Sequence, residues 1–103
     1  MIHIAFKMQV HLDKFDEYKR RHDELWPEMR QVLKEHGASQ YHIFLDESTG
    51  ALFAHAIIES KELWDAVPRT DVCQKWWVYM GDIMDTNPDG SPWSVDLKEV
   101  FCL

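Results

Sequence analysis

An α+β fold, one antiparallel sheet with its helices packed on a single face, is predicted by three observations. The chain opens on a strict two-residue alternation of apolar side chains. A long stripe of apolar residues spaced by three and four follows. Two strand-like runs then come only five turn-prone residues apart.

Taken in order, Ile2, Ile4, Phe6, Met8 and Val10 alternate with His3, Ala5, Lys7 and Gln9, the period of a half-buried strand. Asp13 is placed to cap the helix that follows. Phe15, Tyr18, His22, Leu25, Met29, Val32 and Leu33 form its apolar stripe, and Gly37 ends it. Pro27 lacks an amide proton and crowds the preceding turn, so it either kinks this helix or opens a fresh one from its first turn. Tyr41–Leu45 and Ala51–Glu59 read as strands joined by the hairpin loop Asp46–Gly50. Ser60 caps a short helix through Val67, stopped by Pro68, and Thr70 caps a second one through Met84. Asp85–Pro92 is a turn-rich loop and Val95–Phe101 a last strand. Strand–helix–strand–strand–helix–strand is the ferredoxin-like βαββαβ order. Its open sheet face is predicted to carry His3, Lys7, Gln9, Phe44 and Leu52, a mixed surface for a second copy to cover, so a homodimer is expected.

Composition narrows the function. With 103 residues the chain has the length of a single domain spanning 1–103. A net charge of −7 argues against nucleic acid and against an anionic membrane surface. Cys73 and Cys102 show no paired spacing, and no apolar run is long enough to span a membrane, so a cytoplasmic protein is expected. His3, His11, His36, His42 and His55 show no metal-ligand spacing, and the four glycines form no phosphate loop.

What remains is an aromatic and imidazole set. Four of the five tryptophans could line one small cavity, and Trp76 and Trp77 are adjacent. Neighbours on a helix differ by about 100°, so the alternative is Trp76 in the core with Trp77 at a rim. Trp76 shares a stripe with Cys73, Met80 and Met84. His22 lies one turn after Tyr18 on an apolar stripe, and Tyr41 shares strand parity with Ile43 and Leu45. One histidine, two tyrosines and one or two tryptophans would then meet between helices and sheet. A histidine titrates near neutrality and moves protons both ways, whereas the bland role is a satisfied, semi-buried side chain.

The stretch Glu17-Tyr18-Lys19-Arg20-Arg21-His22 with Trp26-Pro27-Glu28, then Gly37-Ala38 before Tyr41, and above all Thr70-Asp71-Val72-Cys73-Gln74-Lys75-Trp76-Trp77 with Tyr79-Met80, resembles the L-rhamnose mutarotase family. The likeness continues through Asn87-Pro88-Asp89 and Ser91-Pro92 to Glu99-Val100-Phe101. It implies a dimeric ferredoxin-like domain of the α/β-barrel type that interconverts the anomers of L-rhamnose without metal or organic cofactor. It also implies His22 as proton donor and Tyr18, Tyr41, Trp76 and Trp77 as substrate contacts. On this view His22 delivers a proton to the ring oxygen, Tyr18, Tyr41 or a held water serves the anomeric hydroxyl, and the tryptophans pack on the C6 methyl. The runner-up is a cofactor-free monooxygenase or a hydrophobic or haem carrier built on the same fold.

Overall fold

Backbone pairing follows the alternation closely. In the computed structural model, which describes residues 1–103, β1 (Ile2–Gln9) pairs antiparallel with β3 (Ala51–Ile58). On the far side of β3 lies β2 (Ala38–Asp46), and on the far side of β1 lies the short β4 (Val95–Leu97). The order β2-β3-β1-β4 is that of a ferredoxin-like sheet. Its helices are α1 (Phe15–Asp23), α2 (Pro27–Glu35), α3 (Lys61–Ala66), a 3-10 turn (Val67–Arg69) and α4 (Asp71–Met80).

Register decides which side chains face those helices. Phe6 lies opposite Ala54, Met8 opposite Leu52, and Tyr41 opposite Ala56. Ala54 and Ala56 are buried at the centre of the sheet, and their small side chains leave room for the larger Phe6 and Tyr41 beside them. From the helices, Tyr18, Met29, Cys73, Trp76 and Met80 complete one apolar cluster with Met8, Val10 and Leu52.

Several expectations change in detail. Leu52 does not belong to the open face: it is 1% exposed, because the hairpin sets it opposite Leu45 on the helix side. Phe53 takes the outward position instead, beside Phe44 and Lys7. Asp13 makes no cap; Lys14 occupies the N-cap of α1 without a side-chain hydrogen bond. Pro27 opens a fresh helix, at its first position, rather than kinking one long helix. β2 begins earlier than Tyr41, with an irregular step between Ala38 and Gln40. The last helix ends at Met80, although Ile83 and Met84 remain buried beyond it. Only Val95–Leu97 find partners on β1, so the final strand is shorter than its apolar pattern.

Ser60 and Thr70 do cap their helices, accepting from the amides of Leu63 at 3.1 Å and Cys73 at 3.3 Å. Gly50 closes the β2–β3 hairpin at φ +78°, where a Cβ would stand 2.7 Å from the Val10 carbonyl oxygen. No helix is long and apolar enough to cross a membrane.

Candidate active site

His22 and Tyr18 are one helical turn apart on α1, so their rings meet on one face. The rings stack at 4.3 Å, and His22 Nδ1–H donates to the Tyr18 carbonyl oxygen at 3.0 Å. A carbonyl only accepts, so this bond places the neutral ring's proton on Nδ1 and leaves Nε2 with its lone pair free. Nε2 has no partner within the chain. Across the gap, Trp76 on α4 meets the imidazole edge-to-face at 5.4 Å.

Both tyrosines of the expected pair line the same cavity. Burial pushes Tyr18 well above the usual phenol range, with neighbouring Tyr41 adding to the effect. Burial does the same to Tyr41. Both therefore keep their protons and have an O–H to donate. His22 moves the other way: burial lowers its pKa below the ordinary 6.5, only partly offset by the bond to Tyr18 and by Asp23. A neutral imidazole with a free Nε2 is a base at neutral pH. Cys73, pushed up to about 11 by burial, stays a thiol and packs as core.

These side chains share one cavity of about 1120 Å³ between the sheet and the helices. Tyr18, His22, Tyr41, Trp76 and Trp77 all line it, so the sequence-predicted set is brought together entire. Trp76 is only 7% exposed and belongs to core and cavity at once, while Trp77 is half-buried at the wall. Three tryptophans rather than four line the space, the third being Trp64. Trp26 packs instead behind Trp76 at 5.1 Å and on Tyr79 at 5.5 Å. Trp93 sits over a separate, shallow depression of about 480 Å³ with His11 and Asp85. Asn87 and Ser91 add polar groups to the main cavity, their side chains bonded to each other at 3.0 Å.

Arg21, outside the cavity lining, is a positioning residue that the sequence conceals. It reaches from α1 to the end of α4, donating to the Tyr79 carbonyl at 2.7 Å and to Asp82 at 2.8 Å. Its guanidinium lies 4.4 Å from the Tyr79 ring centre, and it also binds Glu17 at 2.6 Å. Bonds from Arg20 and Arg21 hold Glu17 down to about 2. The clamp fixes the helix that carries His22 against the helix that carries Trp76. Asp82 is 61 positions away in sequence, and no local pattern announces it.

Fold and cavity together define a ferredoxin-like α+β domain with an aromatic-walled cavity around one histidine. A family model described as L-rhamnose mutarotase matches residues 3–103. The chain belongs to the L-rhamnose mutarotase family. A relative of that name from Enterobacter sp. (strain 638) is 57% identical over 103 residues, covering 100% of this chain and 99% of the relative. The crystal structure of an L-rhamnose mutarotase from Formosa agariphila superposes with a TM-score of 0.92 at 43% identity, covering 100% of this chain and 99% of that one. An antibiotic biosynthesis monooxygenase is also similar, with a TM-score of 0.64 over 97% of this chain and 99% of that one. At 14% identity its likeness concerns the fold alone.

Proposed function

We propose that this chain is an isomerase that interconverts the α and β anomers of L-rhamnose, with His22 as its acid–base group and Tyr18, Tyr41, Trp76 and Trp77 as substrate contacts. The observation that carries this reading is the convergence of those five side chains on one cavity. Family membership supplies the sugar.

Mutarotation requires the hemiacetal to open, the aldehyde to turn about C1–C2, and the ring to close from the other face. With its pKa lowered by burial, His22 starts neutral, so in this mechanism it first takes a proton and then serves the ring oxygen as the acid expected from sequence. Neutral Nε2 takes the proton from the anomeric hydroxyl, the C1–O5 bond breaks, and C1 becomes the aldehyde carbon. The oxygen released, O5, takes the proton that Nε2 now carries. O1 and O5 are bonded to the same carbon, so a single nitrogen can serve both in turn. Closure runs the steps backwards, and no proton is gained or lost overall. Tyr18 and Tyr41, fixed in their protonated form, donate hydrogen bonds to the oxygen on which negative charge develops. Trp76 and Trp77 offer aromatic faces to the C–H side of the pyranose. The Nδ1 bond to Tyr18 keeps the imidazole oriented through the cycle.

Homodimerisation through the open sheet face and a cytoplasmic location complete the proposal. NMR exchange spectroscopy on equilibrated L-rhamnose tests the activity directly. Cross-peaks between the two anomeric proton signals should grow with added protein beyond the buffer rate. No growth at any pH between 5 and 9, roughly the span over which a histidine base titrates, with folded protein, would sink the assignment.

A further inference from the structure

One wall of the cavity has no part in the proton transfers. Trp64, on α3, lies 5.6 Å from Tyr41 and 6.4 Å from Phe6, ring centre to ring centre, and Phe6 meets Tyr41 edge-on at 6.2 Å. All three line the cavity. Nothing in the sequence pattern singles out Trp64, which sits in a helix of six residues.

The stereochemistry of a 6-deoxypyranose gives this trio a use. C6 hangs from C5, and C5 is bonded to ring oxygen O5, so the methyl lies one carbon from the oxygen released on opening. A second donor to O5, on the side away from His22, therefore has the methyl next to it. Of the two tyrosines, Tyr18 has His22 stacked on it, whereas Tyr41 stands against Trp64 and Phe6. A sugar whose O5 faces Tyr41 sets its methyl on the indole of Trp64.

We propose that Trp64, backed by Phe6, is a specificity-determining residue that receives the C6 methyl and disfavours a hydroxyl there. The proposal rests on the mutarotase reading above, and it moves the methyl contact away from Trp76 and Trp77; the Trp76 indole packs against His22 and Trp26. A C6 hydroxyl pressed on an indole face loses water without gaining a partner. Discrimination of this kind in an apolar pocket amounts to roughly 10- to 100-fold.

Three sugars isolate the effect: L-rhamnose, L-mannose with a hydroxyl on C6, and L-lyxose with no C6 at all. Exchange NMR should give the wild-type protein a kcat/KM for L-rhamnose about 10-fold or more above either of the others. Trp64→Ala should lower the L-rhamnose value about 10-fold while changing L-lyxose by less than about 3-fold, so the ratios collapse. Trp64→Phe keeps a smaller apolar ring and should give intermediate ratios, which covers the case of an Ala variant that does not fold. Near-UV CD and thermal melting confirm folding before rates are compared. Equal losses on all three sugars in every folded variant would make Trp64 scaffold and overturn the proposal. Wild-type protein that accelerates none of the three would overturn the mutarotase reading itself, and the methyl subsite with it.

Discussion

At His22 two influences oppose each other on one imidazole. Burial disfavours the charged ring, and the Tyr18 carbonyl favours a proton on Nδ1; burial prevails, and the pKa falls below its ordinary value. In the proposed mechanism the working form is the neutral base, which gives the pH dependence a definite sign. Protein-dependent exchange should rise with pH through the lowered His22 pKa and be level by neutrality. No downturn should follow from Tyr18 or Tyr41 within the ordinary alkaline range, since both lie above it. Rates corrected for the buffer at each pH check this. A rate that falls with pH over the acidic interval would assign the imidazolium as the active species. His22→Ala should cost about 10²–10⁴-fold in turnover at saturating sugar with little change in KM, the contribution expected of one positioned acid–base group. Unchanged turnover would remove His22 from the mechanism.

Among the elements, α4 carries two duties on neighbouring faces. Cys73, Trp76 and Met80 are buried in the core, while Trp77 is half-buried at the cavity wall. Trp76 holds both positions, so its truncation should be felt first as instability. Trp76→Ala is expected to cost about 3–5 kcal/mol, as for other buried tryptophans. That is a large share of the roughly 5–15 kcal/mol that stabilises a domain. Trp77→Ala should leave the denaturant midpoint nearly in place and raise KM for the sugar. Urea unfolding of both variants beside their KM values separates the roles; a Trp76→Ala variant of unaltered midpoint would make Trp76 a binding residue and not core. The same division explains Arg21. Its clamp joins α1 to the end of α4, and so the imidazole to the indole that faces it.

For the whole molecule the open sheet face is the unbalanced feature. Phe44 is 64% exposed and Phe53 40%, with Val95 and Leu97 on the same face, and a stacked His3–His55 pair sharing a 3.0 Å hydrogen bond. Beyond β4, Val100 and Phe101 are 88% and 76% exposed. Exposed apolar side chains on the open sheet face, Phe44, Phe53, Val95 and Leu97, fit a second copy of the chain. Sedimentation equilibrium at micromolar protein should return twice the 12.3 kDa chain mass. Phe44→Lys with Phe53→Lys should shift it to the single mass while leaving the helix signal in CD. A wild-type particle of 12.3 kDa under the same conditions would rule the dimer out.

Periodicity made much of this molecule legible in one dimension. Alternation in β1, the hairpin spacing, the caps at Ser60 and Thr70 and the Tyr18–His22 turn are all local, and the chain's own geometry dictates them. The resemblance carried by Glu17–His22, by Gly37-Ala38 before Tyr41 and by Thr70–Met80 pointed to the family and implied the five cavity residues. Other features depend on partners distant in sequence. Hairpin register turned Leu52 inward, although its neighbours' pattern allowed either face. Lack of partners beyond Leu97 shortened β4, and a bond across 61 positions made Arg21 a clamp. Packing sent Trp26 behind Trp76, left Trp93 outside the cavity, and brought Trp64 into it. The sign of the His22 shift belongs to this second group as well. Sequence spacing determines which groups meet along a helix or a strand, whereas desolvation, and with it the protonation state of a base, depends on everything that closes around it.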